Sequence, residues 1–197
     1  MKNILLIEDR IGRQKHFLST EEIAELKELV SSDNLPIRRI IEKLNCSEIS
    51  QELESANLIS IHKSALNSEG LRQLLDYCKS HQKDLILFTG GISQISYSNE
   101  GFQLLILNSK DFYSNLLLPF LRDYKKVAST NLLKLVYGDS WKLSFMLQYR
   151  NYKKLYENEG DLYKKEELLI NLQTIKKIIP ESIDNLDEKI NSIISSL

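Results

Sequence analysis

The chain has 197 residues, of which 42% are hydrophobic and 27% charged, and its formal net charge is -1. That balance fits a globular domain able to bury a core, with room for an appendage, and supplies no global field to draw nucleic acid or an anionic membrane. Cys46 and Cys78 make no metal-binding spacing and no disulfide framework, and no apolar run reaches the length of a membrane span, so a cytoplasmic setting is expected.

Residues 3–8, Asn-Ile-Leu-Leu-Ile-Glu, read as a buried parallel strand because the run is apolar throughout and does not alternate. A helix is expected in Arg10–Phe17. Another follows with Thr20 as its cap and Ile23, Leu26, Leu29 and Val30 along one face, ending in the polar stretch 31–34. In Pro36–Leu44 the residues Ile37, Ile40, Ile41 and Leu44 have helical spacing. The sheet inferred below nevertheless needs a strand here, and a short edge strand near Ile37–Ile41 is the expectation. Ser47 is read as the cap of a helix over residues 48–55, and Leu58–His62 as the next apolar strand. Ser68 caps an expected helix Glu69–Ser80, with Leu71, Leu74, Leu75 and Cys78 inward. Asp84–Thr89 is a further strand, closed by the Gly90-Gly91 turn, and residues 92–101 are polar and too short for a helix. Phe102–Leu107 is the last strand, and Asp111–Lys125 a helix that Pro119 should kink or delay.

This alternation predicts an α/β domain over residues 1–126: a five-stranded parallel sheet with helices on both faces. From 127 to 197 the pattern is helical only, with helices near 129–137, 139–157, 161–179 and 181–196 broken at Gly138, Gly160 and Pro180. Chemistry in such a sheet gathers at the carboxyl ends of its strands. The residues there are Glu8 and Asp9, then His62 and Lys63, then Thr89, then Asn108, Ser109 and Lys110.

An apolar strand closing on an acidic pair (Met1–Asp9), Thr89 at a later strand end and Lys110 after the last strand resemble the response-regulator receiver family over roughly residues 1–126. The resemblance implies a flavodoxin-like fold. It implies an acidic pair that helps hold magnesium, a hydroxyl and a lysine that contact a phosphoryl group, and an aspartate ending the third strand that accepts it. The chain departs from that pattern at its centre, where Leu-Ile-Ser-Ile-His-Lys-Ser puts His62 in the acceptor's place. An imidazole forms no acyl phosphate, and it adds no negative charge for a hard cation that prefers oxygen ligands.

The expectation is therefore a pseudo-receiver: a non-catalytic regulatory module acting through protein–protein interaction, in bacterial signalling or in a multi-gene regulatory or defence system. Glu8, Asp9, His62, Thr89 and Lys110 form its degenerate phosphorylation rim. No cofactor is expected, and Glu8 and Asp9 are the residues that would hold magnesium if any did. One alternative is a phosphorylatable or metal-dependent phosphoryl-transfer enzyme using Glu8 and Asp9. A toprim-type site would need Asp-x-Asp where the chain has His62-Lys63-Ser64, and the P-loop, the dinucleotide glycine fingerprint and the Gly-x-Ser-x-Gly elbow are absent.

The helical tail offers two surfaces. Phe145, Tyr149, Tyr152 and Tyr156 follow helical spacing with Arg150, Lys153 and Lys154 between them. They make either an inward aromatic stripe or, as the second alternative, a stacking face of a nucleic-acid-binding adaptor. Leu168, Leu172, Ile175 and Ile179, and then Ile183, Leu186, Ile190 and Ile193, step by three and four. Each is a seam that must be covered, within the chain, in a homodimer or by a partner protein.

Overall fold

The computed structural model describes residues 2–31, 35–91, 95–127 and 131–196. It divides into two compact units, residues 1–136 and 137–197.

The first unit is α/β. Its parallel strands are β1 (Ile4–Ile7), β2 (Leu58–His62), β3 (Asp84–Thr89) and β5 (Gln103–Asn108), and the short strand β4 (Ser96–Asn99) runs antiparallel beside β5. The order across the sheet is β1-β2-β3-β5-β4. Between them lie α1 (Ile11–Phe17), α2 (Thr20–Leu29), α3 (Ile37–Asn45), α4 (Gln51–Ser55) and α5 (Ser68–Ser80). After β5 come α6 (Ser109–Asp111), a π-helical turn (Phe112–Leu116), α7 (Leu117–Lys126) and α8 (Leu132–Tyr137).

Strand side chains alternate between two faces. Leu5, Ile7, Ile59, Ile61, Leu85 and Leu87 form one face and pack with Ile40 and Leu44 of α3, Leu53 of α4, and Leu74 and Cys78 of α5. Ile4, Ile86, Phe88, Leu105 and Leu107 alternate with them and are buried too. On that second face Phe112 and Tyr113 pack their rings on Phe88, and an Arg122–Glu25 ion pair ties α7 to α2. Each buried Leu, Ile or Phe contributes roughly 1.5–3 kcal/mol, so both layers are needed.

Where α5 crosses α3 the contact is backbone to backbone. A Cβ at Gly70 would sit 3.1 Å from both the Asn45 Cα and the Leu44 carbonyl oxygen. Gly70→Ala is therefore expected to cost about 1–3 kcal/mol through overpacking, seen as a lower urea midpoint. An unchanged midpoint would mean that the two helices part freely.

The edge strand expected at Ile37–Ile41 is the helix α3. Ile40 and Leu44 are buried at helical spacing, Pro36 sits just ahead of the first turn, and Arg38 bonds Glu42 one turn on at 2.9 Å. β1 thus forms one edge of the parallel order, and Ser31 passes beside it, its N–H donating to the Ile4 carbonyl at 2.8 Å. The sheet is not parallel throughout, because β4 lies within the polar stretch 92–101, where no strand was expected (residues 92–94 lie outside the described residues). Gly101, at φ +83°, makes the turn that returns β4 into β5, and an L side chain is strained there.

Helix starts shift by small steps. Ser19, not Thr20, caps α2, in a reciprocal capping box with Glu22. Asn67, not Ser68, caps α5, and the helix expected from residue 48 begins only at Gln51, because Ser47 takes up a left-handed φ of 61°. Pro119 falls in the first turn of α7. Its ring crowds the carbonyl four residues back, and the wider π turn just before it accommodates that. The first unit runs past residue 126 to Val136 because Leu132 and Leu133 are buried and the Leu132 N–H donates to Gln103 Oε1 of β5 at 2.9 Å. Residues 129 and 130 of the helix expected there lie outside the described residues.

The second unit is helical: α9 (Trp141–Asn158), α10 (Leu162–Ile178) and α11 (Leu186–Ser195), with α9 packed on both others. The Asp161 carboxylate caps α10 by accepting from the Tyr163 and Lys164 N–H groups. Leu172, Ile175, Ile179 and Ile190 are buried, while Leu168, Ile183, Leu186 and Ile193 are half-buried. The two seams are thus largely covered by the chain itself, as expected when each CH₂ left in water forfeits about 0.8 kcal/mol. No helix among the described residues is long and apolar enough to cross a membrane.

Candidate functional site

Parallel register brings the carboxyl ends of β1, β2, β3 and β5 to one rim. At its β1 end, Glu8 and His62 lie on the same face of the sheet, both buried, with Asp9 just above them. One nitrogen of Arg13 reaches both acids, 2.7 Å from Glu8 Oε1 and 3.2 Å from Asp9 Oδ1. The second Glu8 oxygen accepts the Tyr113 hydroxyl at 2.8 Å, and the Arg10 N–H donates to Oε1 at 3.0 Å. The His62 ring stands edge-on to Phe88, centroids 5.3 Å apart. Its Nδ1 lies 2.7 Å from Ser64 Oγ and 3.3 Å from the Ser64 nitrogen. Ser64 Oγ also lies 3.2 Å from Asp9 Oδ2.

Electrostatics divide the acidic pair. Burial, reinforced by the contact with Asp9, raises the Glu8 carboxyl above its ordinary range despite Tyr113, the Arg10 N–H and Arg13. For Asp9, burial pushes upward, but the contacts with Glu8, Arg13, Ser64 and His62 outweigh it and hold the carboxyl low. Burial and the nearby Arg13 cation lower the His62 imidazole to about 4, against a weaker pull from Asp9. The ring is therefore neutral near pH 7. Burial and the Glu8 carboxyl raise the Tyr113 phenol.

Of the five expected rim residues, three converge: Glu8, Asp9 and His62. Thr89 and Lys110 share the rim but stand apart from the cluster. Thr89 alternates to the face opposite Phe88 and His62, and its hydroxyl accepts only weakly from the Gly91 N–H at 3.5 Å. β3 lies two strands from β1 and β5 three, about 10 and 14 Å at some 4.8 Å per strand. Lys110 is exposed at the start of α6.

Three members of the cluster were not singled out in the sequence. Arg13 is four residues after Asp9, a helical step that could have flagged the ion pair. Ser64 is two residues after His62, whose side chain caps the turn by accepting from the Ser64 N–H. Tyr113 lies 105 positions from Glu8, and nothing local points to it.

No family model, no curated protein and no solved structure matches the chain.

The residues present do not fit a magnesium ion at Glu8 and Asp9. A guanidinium already lies against both carboxylates, and the third position that would add an oxygen ligand is an imidazole. Among the described residues no group of three or more His, Cys, Asp or Glu is placed to hold a metal.

In the helical unit Phe145 is buried and Tyr149, Tyr152 and Tyr156 are half-buried, so the aromatic stripe faces inward and is no open stacking platform. What α10 turns to solvent is a different stripe: Leu162 (80% exposed), Tyr163 (86%), Leu169 and Ile170.

Proposed function

We propose that this chain is a pseudo-receiver: a regulatory module that turns over no substrate and works by binding another protein, in a signalling or a multi-gene regulatory or defence system. The observation that carries this reading is the Arg13 guanidinium lodged against Glu8 and Asp9, which neutralises from within the charge that a bound cation would otherwise balance. A second support is the strand order. A 2-1-3-4-5 sheet that lost its outer second strand would leave four parallel strands in the order β1-β2-β3-β5 has here, with α1, α2 and α7 on one face and α3, α4 and α5 on the other. The exposed apolar stripe of α10 is the surface that would meet a protein partner.

Two measurements test the reading. Magnesium with beryllofluoride, a mimic of a phosphorylated carboxylate, is expected to leave the amide NMR spectrum of the protein unchanged. Shifts centred on Glu8 and Asp9 would replace the pseudo-receiver with a receiver that takes a phosphoryl group on a carboxylate. A photo-crosslinker at position 163, in the native host, is expected to capture one discrete protein that the same group at the exposed position 38 does not. Identical products at both positions would remove the docking role.

A further inference from the structure

We propose that Ser64 is a covalent acceptor of a phosphoryl group, with His62 as the base that takes its proton. This goes beyond the partner-binding reading and stands or falls without it.

Ser64 is exposed at the first turn after β2, while the ring it touches is buried and held edge-on by Phe88. At 2.7 Å, the contact from Ser64 Oγ to His62 Nδ1 is the shorter of the two contacts of that hydroxyl. The backbone N–H of Ser64 already caps the turn by donating to the same Nδ1, so the tautomer with its proton on Nε2 leaves Nδ1 as an acceptor. The hydroxyl is not needed for the cap. A neutral imidazole in contact with an exposed hydroxyl is the nucleophile–base pairing used in covalent catalysis, here with a base that burial and Arg13 weaken to about 4.

Arg10 Nε lies 3.8 Å from the Asp9 oxygen that touches Ser64, and Arg13 lies 3.2 Å from the other. Both guanidiniums are paired with that carboxylate, so they reach an incoming phosphoryl group by exchanging Asp9 for it. In the transfer, Ser64 Oγ forms the new O–P bond and its proton passes to His62 Nδ1. The bond from phosphorus to the leaving group breaks, and its electron pair departs with that group. The donor is a small phosphoryl compound with a carboxylate or phosphate leaving group. The product dianion would then compete with Asp9 for Arg10 and Arg13.

The test uses the whole chain and an alkyl fluorophosphonate, which forms the same O–P bond with loss of fluoride. Mass spectrometry is expected to find one adduct, on the Ser64 peptide, absent in Ser64→Ala and formed about 100-fold more slowly in His62→Gln. No adduct, adducts spread over many serines, or an equal rate in His62→Gln overturns the proposal. A second variant does not depend on changing the buried ring. In Ser64→Cys the new thiol should react with iodoacetamide about tenfold faster than the exposed Cys46 of the same molecule. A rate for the new thiol equal to that of Cys46, or lower, also overturns it.

Discussion

Arg13→Ala is expected to lower the unfolding free energy by about 3–5 kcal/mol, the range found when one partner of a buried ion pair is removed. The Arg13 side chain is 16% exposed, and the Glu8 side chain against it 4%, so little water can take its place. Truncation leaves Glu8 with the Tyr113 hydroxyl and one N–H but no positive charge, and takes from Asp9 one of the contacts that hold its carboxyl low. The partner variant separates lost charge balance from lost packing. Glu8→Gln in an Arg13→Met background should recover most of the loss, because the buried charge goes with its counter-ion. Urea unfolding of the four proteins measures both. A loss below about 1 kcal/mol in Arg13→Ala would place this pair among surface salt bridges and would remove the main support for an internally balanced rim.

Acidification from pH 6.5 toward pH 4 is expected to cost up to about 3 kcal/mol through His62 alone. The sign follows from proton binding. The folded ring resists protonation until about pH 4, while in the unfolded chain it takes a proton near its ordinary value of 6.5. Between those limits the unfolded state holds more protons, so stability is full above pH 6.5 and falls as pH falls. Glu8 acts in the opposite sense. Its raised carboxyl adds stability at low pH, which is lost as pH rises through the folded value. His62→Gln should therefore flatten the fall in unfolding midpoint between pH 6.5 and 4. An unaltered slope would assign the acid sensitivity to other groups.

Much of the first unit was legible because its central strands are continuous apolar runs. Ile4–Ile7, Leu58–His62, Asp84–Thr89 and the strand ending at Asn108 could hardly be anything else between Gly-rich and polar breaks. The edge strand β4 has no such mark. Ser-Tyr-Ser-Asn is polar, and its only local cue was the Asn-Glu-Gly turn ahead of an apolar run. At Ile37–Leu44 the helical spacing is plain, yet the demand for a fifth parallel strand argues against it, although an antiparallel hairpin supplies the fifth strand elsewhere. For the rim, strand-end positions located Glu8, Asp9 and His62, since each directly follows or ends an apolar run. Thr89 shares the rim by position but not by face, which a one-residue alternation decides. Arg13 reads in isolation as a solvated helix charge, and only the burial of its two acids gives it a role.

The bond from Tyr113 to Glu8 also bears on the order of assembly. It joins positions 105 residues apart, one beside the first strand and the other in the π turn beyond the last. During synthesis β1 leaves the ribosome early with a carboxylate that has no place to be buried, and it must wait for more than half the chain to emerge. Contacts of such long range form slowly, because loop closure is opposed by entropy until they are made. A chain stopped before residue 113 would therefore keep the pairing of β1 with β2 but leave the Glu8 carboxylate without its Tyr113 partner.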